Sequence, residues 1–157
     1  HLSNGATNPN DVVAMYDSIL VPTDGSDGVE SALDHAFSLA EDHHATLHAL
    51  YVVDRRLYFA ADETDRESVR DRLQKQGTEA VERIRERAEE LGLDVETAVQ
   101  EGYPDRDIVD YADDRDVDVV VMGTHGRTGR DRITNLGSVS ERVVENAGRP
   151  VFVVPIE

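Results

Sequence analysis

Val117-Asp118-Val119-Val120-Val121-Met122-Gly123-Thr124-His125-Gly126, followed after ten further residues by Gly137-Ser138, is the stretch that decides the fold. Val117 to Met122 is an apolar run of strand length, and Ser138 to Ala147 spaces its apolar residues as a helix does. A strand that leaves through glycines, facing a glycine-serine pair that opens a helix, presents unpaired backbone N–H groups at a sheet edge. Such a bend holds phosphate without a cationic pocket, so the pattern predicts an anion site, most simply one for a nucleotide.

Outward from this stretch the chain alternates strand and helix signals. Ser18 to Pro22 reads as a buried strand stopped by proline, Thr23 to Ser26 as a turn, and Asp27 with Glu30 as a capping box ahead of a helix over about 28–43. Thr46 to Val53 shows little alternation, as in a parallel strand covered on both faces. Residues 54–65 lack periodicity and are expected to form a loop, with Leu57, Tyr58 and Phe59 packing over the sheet edge. A long helix should run from about Glu63 to Leu91, interrupted by Gly77 at a cost of about 1 kcal/mol. Asp94 to Val99 is a third strand, and Gly102-Tyr103-Pro104 turns into a short helix through Ile108 and Ala112. After the glycine segment, Gly148-Arg149-Pro150 leads to a last strand, Val151 to Val154.

The order βαβαβαβαβ implies an α/β fold, a five-stranded, mostly parallel, Rossmann-like sheet with helices on both faces. Ligands of such sheets sit beyond the carboxyl ends of the strands, where strand order reverses. Pro22-Thr23-Asp24, Val52-Val53-Asp54 and Gly123 to Gly126 all fall at such ends.

At 157 residues the chain suits one domain, and the absence of cysteine excludes disulfides and thiolate chemistry. No apolar run approaches a membrane span and the start lacks the build of a signal peptide, so a soluble, cytoplasmic protein is expected. His1 to Ala14 is patternless and reads as a leader or disordered extension, with the domain taken as residues 15–157 from Met15 on. Thirty-three Asp and Glu stand against sixteen Lys and Arg, and Lys75 is the only lysine. A surface this acidic repels nucleic acid and anionic membrane, so neither is an expected partner. Acidity with Arg in place of Lys resembles the proteins of salt-in halophiles and suggests a halophilic archaeon. Molar salt there shortens the screening length to roughly 3 Å.

The rim residues leave chemical alternatives open. Ser138, with Glu141, either caps its own helix or gives its hydroxyl to a phosphate. Asp24 either accepts from the exocyclic amine of a purine or closes an Asx-turn with Ser26. Arg127, Arg130 and Arg132 are phosphate donors or solvated loop charges. The segment is no Walker A loop, since it lacks the Gly-Lys-Ser/Thr ending. His125 has no carboxylate or hydroxyl fixed beside it, so a backbone-ordering or solvent-facing place is expected and no catalytic residue is assigned. His43 and His44 read as charge partners of a helix end, and no cluster has metal-ligand spacing.

Ile19-Leu20-Val21-Pro22-Thr23-Asp24-Gly25-Ser26, Tyr51-Val52-Val53-Asp54, Val120 to Gly129, Gly137 to Val143 and Arg149 to Val154 together resemble the universal stress protein family over residues 16–156. The resemblance implies the adenine nucleotide alpha hydrolase-like variant of the fold and an ATP-binding branch. It places Pro22, Thr23 and Asp24 in an adenine pocket, Val52 against adenine through its backbone, and Met122, Gly123, His125 and Gly126 around ribose and phosphates. Gly137, Ser138, Val139 and Ser140 would hold the phosphate tail. It further implies ATP or another adenine nucleotide as ligand, Mg²⁺ held by phosphates and water, and a homodimer through Val151 to Val154. One departure stands out: ten residues separate Gly126 from Gly137 where the family pattern has nine. The extra residue either bulges within Arg130 to Leu136 or shifts the phosphate nest.

The function expected is a nucleotide-dependent dimeric sensor in a stress response, with at most slow ATP hydrolysis and an unidentified protein downstream. The alternative is a structural or interaction dimer of the same fold that holds no nucleotide.

Overall fold

A computed structural model describes residues 16–26, 28–124 and 137–155. The expected leader 1–14, Met15, the capping residue Asp27, and His125, Gly126, Arg127, Arg130 and Arg132 lie outside the described residues. Five strands, β1 (Ser18–Pro22), β2 (Thr46–Asp54), β3 (Val95–Gly102), β4 (Val119–Gly123) and β5 (Val151–Val154), form one sheet in the order β3-β2-β1-β4-β5. Every pairing is parallel. Between them run α1 (Val29–His43), α2 (Arg55–Phe59), α3 (Arg66–Glu90), α4 (Pro104–Asp114) and α5 (Ser138–Asn146).

Alternation along the strands splits the core in two. Ile19, Val21, Leu47, Ala49, Tyr51, Val53, Val119 and Val121 pack against α1 and α3, while Leu20, Leu50, Val52, Val120 and Met122 pack with α4 and α5. The α/β, Rossmann-like sheet with helices on both faces is therefore what the chain forms. Among the described residues no helix is long and apolar enough to cross a membrane.

Two local expectations are corrected. Residues 54–65 are no structureless loop, for α2 and a 3-10 turn at Glu63–Asp65 lie within them. Asp54 caps α2 by accepting from the Arg56 N–H at 3.0 Å, and a helix of five residues is too short to display a 3.6-residue period. Of the three apolar residues there, only Tyr58 is buried, with its hydroxyl donating to Glu101 of β3 at 3.0 Å; Leu57 and Phe59 are exposed. The helix after β1 has Gly28 at its N-cap with no side-chain cap bond, and the expected capping box, which rests on Asp27, lies outside the described residues.

Gly77 has a reason that helix propensity hides. A Cβ at this position would stand 2.5 Å from Cδ1 of the Tyr51 ring, so glycine is what lets α3 lie close on β2.

Candidate functional site

The strand order reverses between β1 and β4, because the chain leaves β1 for β2 on one side and returns through β4 on the other. Register then shapes the crevice. Pro22, the last residue of β1, lies level with Leu50, so Val52, Val53 and Asp54 overhang the end of β1 and pair only with Gln100, Glu101 and Gly102 of β3. That overhang is one wall.

The floor begins where β1 ends. Thr23 N–H donates to the Leu50 carbonyl at 2.9 Å, and Thr23 Oγ1 accepts from Gly25 N–H at 3.0 Å. Asp24 Oδ1 accepts from Ser26 N–H at 2.9 Å, so the Asx-turn of the two alternatives is formed, while the Asp24 side chain stays exposed. Gly25 sits at φ +83°, where a side chain would strain the turn.

The opposite wall is built at the exit of β4. Thr124 N–H donates to Val154 at 3.2 Å, and its carbonyl accepts twice, from Gly137 N–H at 2.8 Å and from the buried Ser140 hydroxyl at 2.7 Å. These two bonds join the first glycine bend to the second. Gly137 is the N-cap of α5, with φ −73° and ψ 166°, and no side chain caps the helix. The expected Ser138–Glu141 capping box is thereby corrected: Ser138 is the first helical residue, and Gly137 N–H is satisfied by Thr124. The first intrahelical bond runs from Glu141 N–H to the Gly137 carbonyl at 2.9 Å. Ser138, Val139 and Ser140 N–H consequently lack intrahelical acceptors.

The rim thus brings together Pro22, Thr23 and Asp24 from β1, Val52 from β2, Met122 and Gly123 from β4, and Gly137 to Ser140 from α5. Val52, Met122 and Val139 share one apolar cluster, which gives the crevice a greasy side. His125 and Gly126 lie outside the described residues. Among those residues no group of three or more acidic or histidine side chains is placed to hold a metal ion.

The description of the universal stress protein family matches residues 15–155. This chain belongs to that family. A universal stress protein of Methanocaldococcus jannaschii is 41% identical over 141 residues, spanning 89% of this chain and 82% of the relative. The structure of a second Methanocaldococcus jannaschii protein, 33% identical, has a TM-score of 0.83 and covers 91% of this chain and 98% of its own. A universal stress protein solved in complex with cAMP is 25% identical, with a TM-score of 0.63, and covers 89% of this chain and 97% of its own.

Sequence reasoning missed several groups that shape the rim of this universal stress protein. Thr124, between two glycines that drew attention, proves to be the junction, and its Oγ1 is buried with no hydrogen-bond partner among the described residues. Ser140 was expected at the phosphate tail, but the inward bond of its hydroxyl to Thr124 was not, although its place three residues before the buried Val143 on the apolar stripe of α5 was the available signal. Charge gathers at the same rim through Arg56, Asp105 and Arg142, drawn from three different helices. Nothing local in the sequence announces that meeting.

Proposed function

We propose that this universal stress protein binds an adenine nucleotide, ATP foremost, beyond the carboxyl ends of β1, β2 and β4, and that occupancy of the site is its signal. The junction at Thr124 carries the reading. Its carbonyl ties the two glycine bends together, while its own buried hydroxyl has no hydrogen-bond partner among the described residues. Leaving such a group unsatisfied costs about 1–3 kcal/mol. A phosphate at the start of α5 supplies an acceptor to that hydroxyl as well as to the N–H groups of Ser138, Val139 and Ser140.

On this reading Pro22, Thr23 and Asp24 meet the base, with the Asp24 carboxylate accepting from the exocyclic amine while it keeps its turn. Val52 contributes backbone, Met122, Gly123, His125 and Gly126 surround the ribose and phosphates, and Gly137 to Ser140 hold the tail. Because the Ser140 hydroxyl already donates to Thr124, its part in phosphate binding falls to its N–H. Mg²⁺ is held by phosphates and water, and hydrolysis is slow at most.

The relative solved with cAMP supports the ligand class. Strand β5 lies at the sheet edge, bonded only to β4, with Phe152 exposed, which suits pairing with a second copy through Val151–Val154. The formal charge of −17 suits a halophilic, high-salt cytoplasm.

Calorimetric titration of ATP, ADP and AMP in molar KCl tests the proposal. The wild-type chain should bind and its melting temperature should rise with ligand. Asp24→Ala should weaken binding about ten- to hundredfold, the loss of one charge-assisted hydrogen bond. A melting temperature indifferent to all three nucleotides would instead favour the structural dimer.

A further inference from the structure

Two guanidinium groups at the C-terminal rim converge on one carboxylate. Arg56 Nη2 of α2 lies 3.6 Å from Asp105 Oδ1, and Arg142 Nη1 of α5 lies 3.5 Å from Asp105 Oδ2. Their environments differ. The Asp105 side chain, in the first turn of α4, is only 19% exposed, whereas Arg142 is 65% exposed. Arg56 is further tied to Asp54 through Nε at 3.1 Å, so it stays in place when Arg142 moves. The Arg142–Asp105 pair is a single 3.5 Å contact made by a mostly exposed guanidinium, weaker than a bidentate guanidinium–phosphate contact.

Arg142 follows Ser138 by four residues and therefore shares its face of α5, about 6 Å along the axis. Helical side chains lean toward the N-terminus of their helix, here toward the N–H groups that lack intrahelical acceptors. The buried Thr124 hydroxyl, without a hydrogen-bond partner among the described residues, belongs to the same junction, since the Thr124 carbonyl is bonded to Gly137 and Ser140. A cation, three backbone donors and the Thr124 junction thus belong to the first turns of α5.

We infer that Arg142 reads the outer phosphates of the ligand, that Asp105 holds it while the site is empty, and that the site favours a nucleoside di- or triphosphate over a monophosphate. The inference rests on the nucleotide reading above. In a chain of net charge −17 whose only lysine is Lys75, a multiply charged tail meets general repulsion. Arg142 offsets that repulsion where the tail lies. Asp105 remains neutralised by Arg56 when its second partner leaves.

The test is titration of AMP, ADP and ATP, at one fixed KCl concentration, into the wild type, Arg142→Gln and Asp105→Asn. Arg142→Gln should weaken ATP binding about tenfold and AMP binding less than about twofold. Asp105→Asn should tighten ATP several-fold and leave AMP unchanged. Because Arg142 is exposed, its variant keeps the fold, and unchanged melting temperature checks this. If the wild type binds ATP but both variants leave the ATP-to-AMP ratio as it was, this inference alone falls. If the wild type binds no nucleotide, the functional reading falls and takes this one with it.

Discussion

The two ends of the sheet are built from the same strands and held by different kinds of bond. At the N-terminal end, ties run far along the chain. Asp118 Oδ2 accepts from the N–H groups of Asp17 and Ser18 at 2.7 and 3.1 Å, about a hundred residues away in sequence. Arg149 donates to the carbonyls of Ala147, Ala112 and Val117 and to Asp113, closing the ends of α4 and α5 and the approach to β4 onto one guanidinium. At the C-terminal end the turn after β1 is local, made by Thr23 and Asp24 with residues two further on. On the β4 side Thr124 N–H donates to Val154 and its carbonyl takes the bonds from Gly137 and Ser140, while on the β3 side Glu101 accepts from Tyr58, Arg70 and Gln74. The N-terminal end is stitched by charged side chains onto backbone groups, whereas at the C-terminal end the N–H groups of Ser138, Val139 and Ser140 have no intrahelical acceptor.

Arg149→Ala should sharpen that contrast most. It strips a charged donor from three carbonyls at once, and urea unfolding should show a loss of about 3 kcal/mol with ATP affinity untouched. A variant that bound ATP more weakly while remaining folded would show that the stitched end also governs the site.

Ser140→Ala should give the reverse pattern. One neutral hydrogen bond is lost, about 1 kcal/mol of stability, but only the Gly137 N–H bond then joins the two glycine bends and ATP affinity should drop about tenfold. Were it to destabilise the protein as much as Arg149→Ala, the Thr124 junction would be a structural clasp and the contrast between the ends would break.

The smallest effect is expected between the two ends. His48 lies mid-strand in β2, buried, with Nδ1 3.0 Å from the Tyr111 hydroxyl. Burial, the largest influence, lowers its pKa below the ordinary 6.5, with Glu96 opposing and Arg115 assisting. The unfolded chain therefore takes up a proton that the folded one refuses, so this contribution to stability is full above about pH 6.5 and declines as pH falls below it. His48→Gln should flatten the slope of unfolding free energy below about pH 6.5 while leaving nucleotide binding alone.

Much of this architecture was legible along the chain. The last strand, Val151–Val154, and the proline-led start of α4 appear where their residues predict them. The fourth strand shows why boundaries drift. Val117 is apolar and buried, yet its N–H closes α4 on the Ala112 carbonyl and pairing in β4 begins only at Val119. Apolarity reports burial and says nothing of which backbone group pairs with which. Gly77 is the same lesson in a helix, since the ring of Tyr51 that requires it lies 26 residues upstream.

Periodicity and glycine placement were enough to determine the layers, the parallel sheet and the rim on which the candidate residues fall, because side-chain period and backbone freedom are properties of neighbouring residues. The tertiary structure alone decided that the Thr124 carbonyl would join the two glycine bends, that Ser140 would turn inward and that Asp105 would collect two arginines. Those outcomes depend on register and on helix-to-helix distance, which arise only when segments far apart in the chain pack against one another.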